Sequence, residues 1–267
     1  MPQRWTIKEE NRKREELLDL YVNQNKAIGE IGKILSIGES TVFDRLKRLD
    51  IPTFPERKPH YLNKKRGSLV FPDFCENLAE FFGIMLGDGH IGLGQIWIYI
   101  NTTTDRKYIP YVENLLEFLF GIKPGHHYRK NDDMVDLFIS SVELINYLKE
   151  KGLFVTNKVK YQVDIPSWIL NKDSYKKSFL RGFFDTDGSI YNLKFGTQMS
   201  FCNKSIPLLL STRKILLNLG YRPSNVSSYK VYLTRQPDLE KYVNEIGFGN
   251  QKHIDRAKNF GIIYRGA

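Results

Sequence analysis

The chain of 267 residues is 41% hydrophobic, enough for a large core and more than one domain, and it carries a formal net charge of +10 with a pI near 9.4. No apolar run approaches the ~18 residues that cross a bilayer, and the opening MPQRWTIKEENRKREE is too charged for a signal peptide. The two cysteines, Cys75 and Cys202, stand in no CxxC pair, which argues against zinc and disulfides; the expectation is a cytoplasmic protein (or one of an organelle matrix, if encoded there) with an anionic partner, most simply nucleic acid.

Residues 12–50 read as three short helices. Leu17, Leu18, Tyr21 and Val22 stripe the first, Ile28, Ile31, Ile34 and Leu35 the second, and Val42, Leu46 and Leu49 the third. Ser36-Ile37-Gly38 between the last two is a turn of the length and glycine content that helix-turn-helix units use. The third helix then exposes Ser40, Thr41, Asp44, Arg45 and Arg48, hydroxyls and guanidiniums of the kind that reach base edges and phosphates. This segment resembles the DNA-binding helix-turn-helix family. The expected boundaries are a helix-turn-helix domain over 1–53, a basic linker over 54–70, and a larger domain over 71–267.

The linker holds Pro55, Pro59 and the cluster Lys64-Lys65-Arg66, and residues 54–67 carry net +4. A tether between two DNA-binding units runs along DNA, so phosphate contact by Lys64, Lys65 and Arg66 is expected. Beyond it, residues 68–155 are net −5 and residues 156–267 net +10.

The larger domain is a duplication. Phe81-Phe82-Gly83-Ile84-Met85-Leu86-Gly87-Asp88-Gly89 is answered by Leu180-Arg181-Gly182-Phe183-Phe184-Asp185-Thr186-Asp187-Gly188. The acids lie 99 residues apart, and each is followed 33 residues later by the glycine closing an apolar segment, Gly121 and Gly220. The first repeat, about 71–155, continues with strand-like Gln95–Asn101, a helix Tyr108–Phe120, strands His126–Arg129 and Val135–Ser140, and a helix Val142–Lys151. The second, about 156–267, continues with Ser189–Phe195, Gln198–Asn203, a helix Ile206–Leu219, Val226–Ser228, Lys230–Thr234 and a helix Leu239–Ile246. Strict alternation in Ile96-Trp97-Ile98-Tyr99-Ile100 and in Lys230–Thr234 suits half-buried strands. The fold class is therefore α+β, two αββαββα repeats after a small all-α domain.

Small residues four apart, Gly83 with Gly87 and Gly182 with Thr186, share one helical face and let two helices approach closely. Gly89 and Gly188 are expected to end those helices in the left-handed conformation. Asp88 and Asp187 would then lie side by side, and a hard divalent cation held through oxygen relieves their repulsion. A metal between carboxylates and a phosphate is a recurring arrangement for cutting phosphodiesters. Asp185-Thr186-Asp187-Gly188-Ser189 is not a calcium loop, because Ile190 and Gly196 stand where that loop needs glycine and a closing acid. His126 and His127 are neighbours on a strand and face opposite sides, so shared ligation is not expected.

Both segments resemble the signature of the LAGLIDADG homing endonucleases, in the layout that joins two motifs in a single chain, and Ile246–His253 resembles a frequent ending of such domains. The resemblance implies pseudo-two-fold symmetry, two sheets saddling the major groove, and staggered cleavage of double-stranded DNA across the minor groove. It assigns Asp88 and Asp187 as catalytic and metal-binding acids, with Gly87 and Thr186 beside them at the metal, and Mg²⁺ as cofactor, with Mn²⁺ able to substitute. It makes Lys204, the lysine ending the second strand, a third catalytic residue that helps polarise the water or phosphate, where the first repeat has Asn101-Thr102. DNA contacts are expected from Ser40, Thr41, Arg45, Arg48, Lys64, Lys65, Arg66, Arg129, Lys130, Lys194, Lys230 and Arg235. Two motifs in one chain imply a monomer. The alternatives are a DNA-binding regulator that kept the fold without the reaction, and an RNA-binding maturase. An intein origin is not expected, since Met1-Pro2 and Arg265-Gly266-Ala267 lack the nucleophile and terminal Asn of splicing.

Overall fold

The computed structural model describes residues 6–24, 26–51, 69–130, 132–153 and 158–262. The chain divides into two units, Met1–Lys64 and Lys65–Ala267. Pro55, Pro59, Lys64, Lys65 and Arg66 of the expected linker lie outside the described residues.

In the first unit, helices α1 (Ile7–Leu18), α2 (Ile28–Leu35) and α3 (Glu39–Arg48) enclose Leu17, Tyr21, Ile31, Val42, Leu46, Leu49 and Ile51. Helix α1 starts earlier than its apolar stripe. Thr6 and Glu9 form a reciprocal cap, with Glu9 Oε2 accepting from Thr6 N at 2.8 Å, so the charged stretch before residue 12 is already helical. A π-helical turn, Asp19–Asn23, follows and carries Tyr21 into the core. Ile34, expected in the stripe, is 52% exposed. At about 100° per residue it lies roughly a quarter turn from the face shared by Ile28, Ile31 and Leu35. In the turn before α3 the left-handed residue is Ser36 (φ 51°), while Gly38 is extended and caps α3.

The second unit is built as two α+β repeats. The first comprises α4 (Glu76–Asp88), β1 (Gly89–Ile91), β2 (Gln95–Asn101), α5 (Ile109–Phe120), β3 (Gly125–Tyr128), β4 (Met134–Ser140) and α6 (Val142–Glu150). A short helix α7 (Lys158–Tyr161) and a 3-10 turn, Ser167–Asn171, lead into the second. That repeat comprises α8 (Asp173–Asp187), β5 (Gly188–Leu193), β6 (Gly196–Cys202), α9 (Ile206–Asn218), β7 (Lys230–Leu233), α10 (Gln236–Glu245) and α11 (Gln251–Asn259). The sheets are antiparallel, ordered β1-β2-β4-β3 and β5-β6-β7. Alternation in β2 buries Ile96, Ile98 and Ile100 and leaves Trp97 and Tyr99 on the other face, where Trp97 packs on its register partner Phe138. One continuous core joins the repeats, from Phe81 and Phe82 through Phe179 and Phe183 to Phe201.

Two expectations are corrected. Val226–Ser228 is no strand: it contributes a single bridge, Ser227 to Lys230, because Ser228 and Tyr229 both turn through positive φ (50° and 60°). Gly89 and Gly188 are not left-handed either; both are extended (φ −86° and −93°). They are glycines for lack of space, since a Cβ would lie 2.5 Å from Met85 Cα and 2.3 Å from the Phe184 carbonyl oxygen. Among the described residues, no helix is long and apolar enough to cross a membrane.

Candidate active site

The site is made by α4 and α8, which pack backbone against backbone. A Cβ on Gly83 would meet the Phe179 carbonyl oxygen at 2.3 Å, and one on Gly182 the Glu80 carbonyl oxygen at 2.1 Å. One on Gly87 would stand 2.0 Å from Thr186 Oγ1 and 3.5 Å from Asp187 Cγ. The Thr186 hydroxyl is turned back to the Gly182 and Phe183 carbonyls (3.2 and 3.1 Å). This contact brings the C-terminal residues of both helices, Asp88 and Asp187, into one place.

Each acid sits at the negative end of a helix dipole and is largely withdrawn from water, two disadvantages for a carboxylate. Burial, then the Asp88 charge, push the Asp187 carboxyl up to about 7, although Asn203 Nδ2 donates to it at 2.6 Å. Burial likewise raises Asp88, with Asp105 adding to the effect and Lys158 and Lys252 opposing it. Lys158 from α7 donates to the Gly87 carbonyl and acts electrostatically on both acids; burial lowers its own pKa against their pull.

Asp88 opens on a cavity of about 110 Å³, lined also by Asn101, Asp105, Tyr108, Thr186 and Lys252. Lys252 Nζ and Asn250 Nδ2 each lie 2.6 Å from Asp105 Oδ1. Burial alone would raise Asp105, but hydrogen bonds from Lys252, Thr104 and Asn250 hold it below the usual carboxylate value. The extra acid of the second motif, Asp185, is buried and raised far above the ordinary range by that burial. It accepts from Gly249 N at 2.8 Å and so fastens the Ile246–His253 segment to α8. Beneath, buried Glu80 accepts from Tyr111 and Arg181, tying α4 to α5 and α8.

Asp88, Asp187, Gly87 and Thr186 are thus brought together, whereas Lys204 is not brought to them. Its side chain is exposed and its carbonyl accepts from Gln162; the preceding residue, Asn203, meets Asp187 instead. Of the expected DNA contacts, Ser40, Thr41 and Arg48 are exposed and Arg45 half-buried, with Arg48 paired to Glu10 at 3.5 Å. Lys130, Lys194 and Arg235 are exposed and Lys230 is half-buried. Arg129 is held by Asp136 at 2.9 Å and lies over the Tyr99 ring, which leaves less of its charge for a polyanion. His126 and His127 take different acids, Glu113 and Asp136. Sequence reasoning missed Asn203, Lys158 and Lys252 as members of the site. Asn203, next to Lys204, and Lys252, inside the Ile246–His253 segment, had a signal in sequence; Lys158 arrives by tertiary packing alone.

Among the described residues, no group of three or more His, Cys, Asp or Glu side chains is placed to hold a metal. Two crowded carboxylates beside the Gly87 carbonyl nonetheless form an all-oxygen donor set of the kind a hard divalent cation takes. The Asp187 carboxyl also gives the metal-free protein a pH signature. Between about pH 4 and 7 the folded state holds a proton there that the unfolded chain has released, so stability falls as pH rises through this window. The expected loss is on the order of 3 kcal/mol, read from urea midpoints at pH 5 and 8 in EDTA. Asp187→Asn should flatten that dependence; an equally steep one in the variant would show that another group causes it.

The described architecture is α+β, and residues 174–247, from α8 through α10, match the family model described as a LAGLIDADG-like domain. Among curated proteins the chain is similar to a replication factor C small subunit of Methanocaldococcus jannaschii, 27% identical over 192 residues, covering 69% of this chain and 10% of that one. It is also similar to a tRNA-splicing ligase RtcB of Pyrococcus furiosus, 30% identical over 141 residues, covering 46% of this chain and 14% of that one. The chain therefore spans about a tenth of the length of the curated relatives it matches. Similar solved structures include the N-terminal LAGLIDADG domain of DUF199/WhiA (TM-score 0.46, 16% identity, 65% of this chain and 83% of that one). Another is I-DmoI in complex with DNA and Mn (TM-score 0.45, 20% identity, 64% and 96%).

Proposed function

We propose that the protein is a site-specific, divalent-metal-dependent endonuclease of double-stranded DNA, of the homing type. The observation that carries this reading is the pair Asp88 and Asp187. Two repeats each deliver one carboxylate to a common point, at the cost of burial and mutual repulsion that a cation would offset. A Mg²⁺ or Mn²⁺ ion held by Asp88, Asp187 and the Gly87 carbonyl would polarise a phosphoryl oxygen and supply a water of lowered pKa. The chain's own part is to position. Asn203 fixes the Asp187 carboxylate, and Asp105 with Asn250 holds Lys252 beside Asp88, where its ammonium can neutralise a phosphate.

In this reading the helix-turn-helix unit adds grip through Ser40, Thr41, Arg45 and Arg48, and the protein acts as a monomer in the cytoplasm or an organelle matrix. The net +10 of residues 156–267 and the Lys64-Lys65-Arg66 cluster would supply most phosphate neutralisation. Charge reversal at those three positions is expected to flatten the salt dependence of duplex binding; an unchanged slope refutes that share of the work. The test of the whole reading is cleavage-site selection on a random duplex pool with Mg²⁺. Enriched, reproducible double-strand ends support it, and binding without nicking overturns it.

A second reading has one observation in its favour. Lys158 sets one positive charge of the protein's own within electrostatic reach of both acids, as suits a sequence-specific DNA-binding protein that needs no cation and cuts nothing.

A further inference from the structure

Lys158 lies outside both motifs, on the four-residue helix α7 that precedes the second repeat. Its Nζ donates to the carbonyl of Gly87, the residue before Asp88 and the place where α4 meets Thr186. The same ammonium is felt by Asp88 and by Asp187, so three oxygen-bearing groups of the candidate metal set share one protein cation. An ammonium has three donors and no acceptor, and one positive charge against the two of a divalent metal. It therefore satisfies the carbonyl and tempers the carboxylate repulsion, but by charge alone it neutralises only half of two ionised acids.

His253 is buried and wedged between Phe184 and Phe248, beside the Asp185 backbone, and packs there as part of the core. The Glu80, Arg181 and Tyr111 cluster ties α4 to α5 and α8, and its polar contacts are spent on that packing.

We infer that Lys158 is a tethered counter-ion standing in the place of the divalent cation, and that the cation binds by displacing its ammonium from the Gly87 carbonyl, beside Asp88 and Asp187. The inference rests on the same two acids as the endonuclease reading, but concerns cation binding and not cleavage. Its consequence is a built-in threshold. The free protein keeps its acids together without metal, and cation binding must first expel a side chain anchored on α7. Displacement also frees an ammonium next to the reacting phosphate, where it can pair with an anion.

Two measurements on the full chain, without DNA, test it. In calorimetric titration with Ca²⁺, Lys158→Met is expected to bind about tenfold more tightly than the parent, the size of one unit-charge competitor removed at close range. Lys158→Arg, which keeps the charge, should not tighten. Equal or weaker Ca²⁺ binding by the Met variant, or no binding by any of the three, overturns the inference. Should the Met variant fail to fold, the parent protein gives the answer. Reductive methylation followed by peptide mass spectrometry should label Lys158 slowly in EDTA and several-fold faster in Ca²⁺, with Lys160 as internal reference. A Lys158 rate that ignores Ca²⁺ overturns it equally. Tighter Ca²⁺ binding by Lys158→Met with no cleavage of any duplex would retain the counter-ion and discard the endonuclease. Cleavage by a protein whose Lys158 labelling ignores Ca²⁺ would do the reverse.

Discussion

Asparagine at position 88 or 187 is expected to lower Mg²⁺-dependent double-strand cleavage by at least about a thousandfold, while duplex affinity in EDTA changes by less than about twofold. The reason lies in how the donor set is shared. Removing either carboxylate leaves a single acid facing Lys158, a pair already balanced in charge, so little remains to attract a divalent ion. The two variants should not behave alike without metal. Asp187 carries the larger burden of burial and neighbouring charge, so Asp187→Asn should melt later than the parent at pH 8 in EDTA. Cleavage time courses on a selected duplex, with binding followed by anisotropy, check the first expectation. Undiminished cleavage by either variant would end the assignment of the paired acids.

The largest expected effect on stability belongs to Gly182→Ala. Its new methyl would sit 2.1 Å from the Glu80 carbonyl oxygen and 3.0 Å from the Glu80 carbonyl carbon, both backbone atoms of a buried helix. No rotamer change relieves such a clash; the helices must part. Separation strains the core around Phe81, Phe82, Phe179 and Phe183 and the buried Arg181–Glu80 contact. The expected cost is at least about 3 kcal/mol, or roughly 6–12 °C in melting temperature for a unit of this size. Gly92→Ala is the matched control, because its nearest neighbour would be 3.6 Å away in ordinary contact. It should change stability by less than about 0.5 kcal/mol. Similar melting curves for the two variants would contradict the close packing of α4 on α8.

What could be read in the sequence was what steric need writes at fixed intervals. Helix contact demands small residues four apart, so Gly83, Gly87, Gly182 and Thr186 mark the pair in the sequence itself, and β2 is marked by alternation. Glycine is ambiguous, however, between freedom of backbone and lack of room. Gly89 and Gly188 looked like left-handed caps and are extended residues pressed against Met85 and Phe184. Val226–Ser228 has the composition of a strand, but two successive positive-φ residues next to it close the chain into a turn. Lys204 and Lys158 show the other limit. Adjacency to a strand end suggested the first, yet its neighbour Asn203 holds Asp187, and the lysine near both acids comes from a helix with no motif at all.

Because α4 and α8 touch through their main chains, they act as a gauge block for the two carboxylates. The separation of the acids is set by atoms that every residue type shares, not by side chains that substitution can lengthen or shorten. The sheets are under no such restraint: one has four strands and the other three, in stretches of opposite net charge. A chain built this way can rewrite the surfaces that meet a partner, one half at a time, without resetting the distance at its centre.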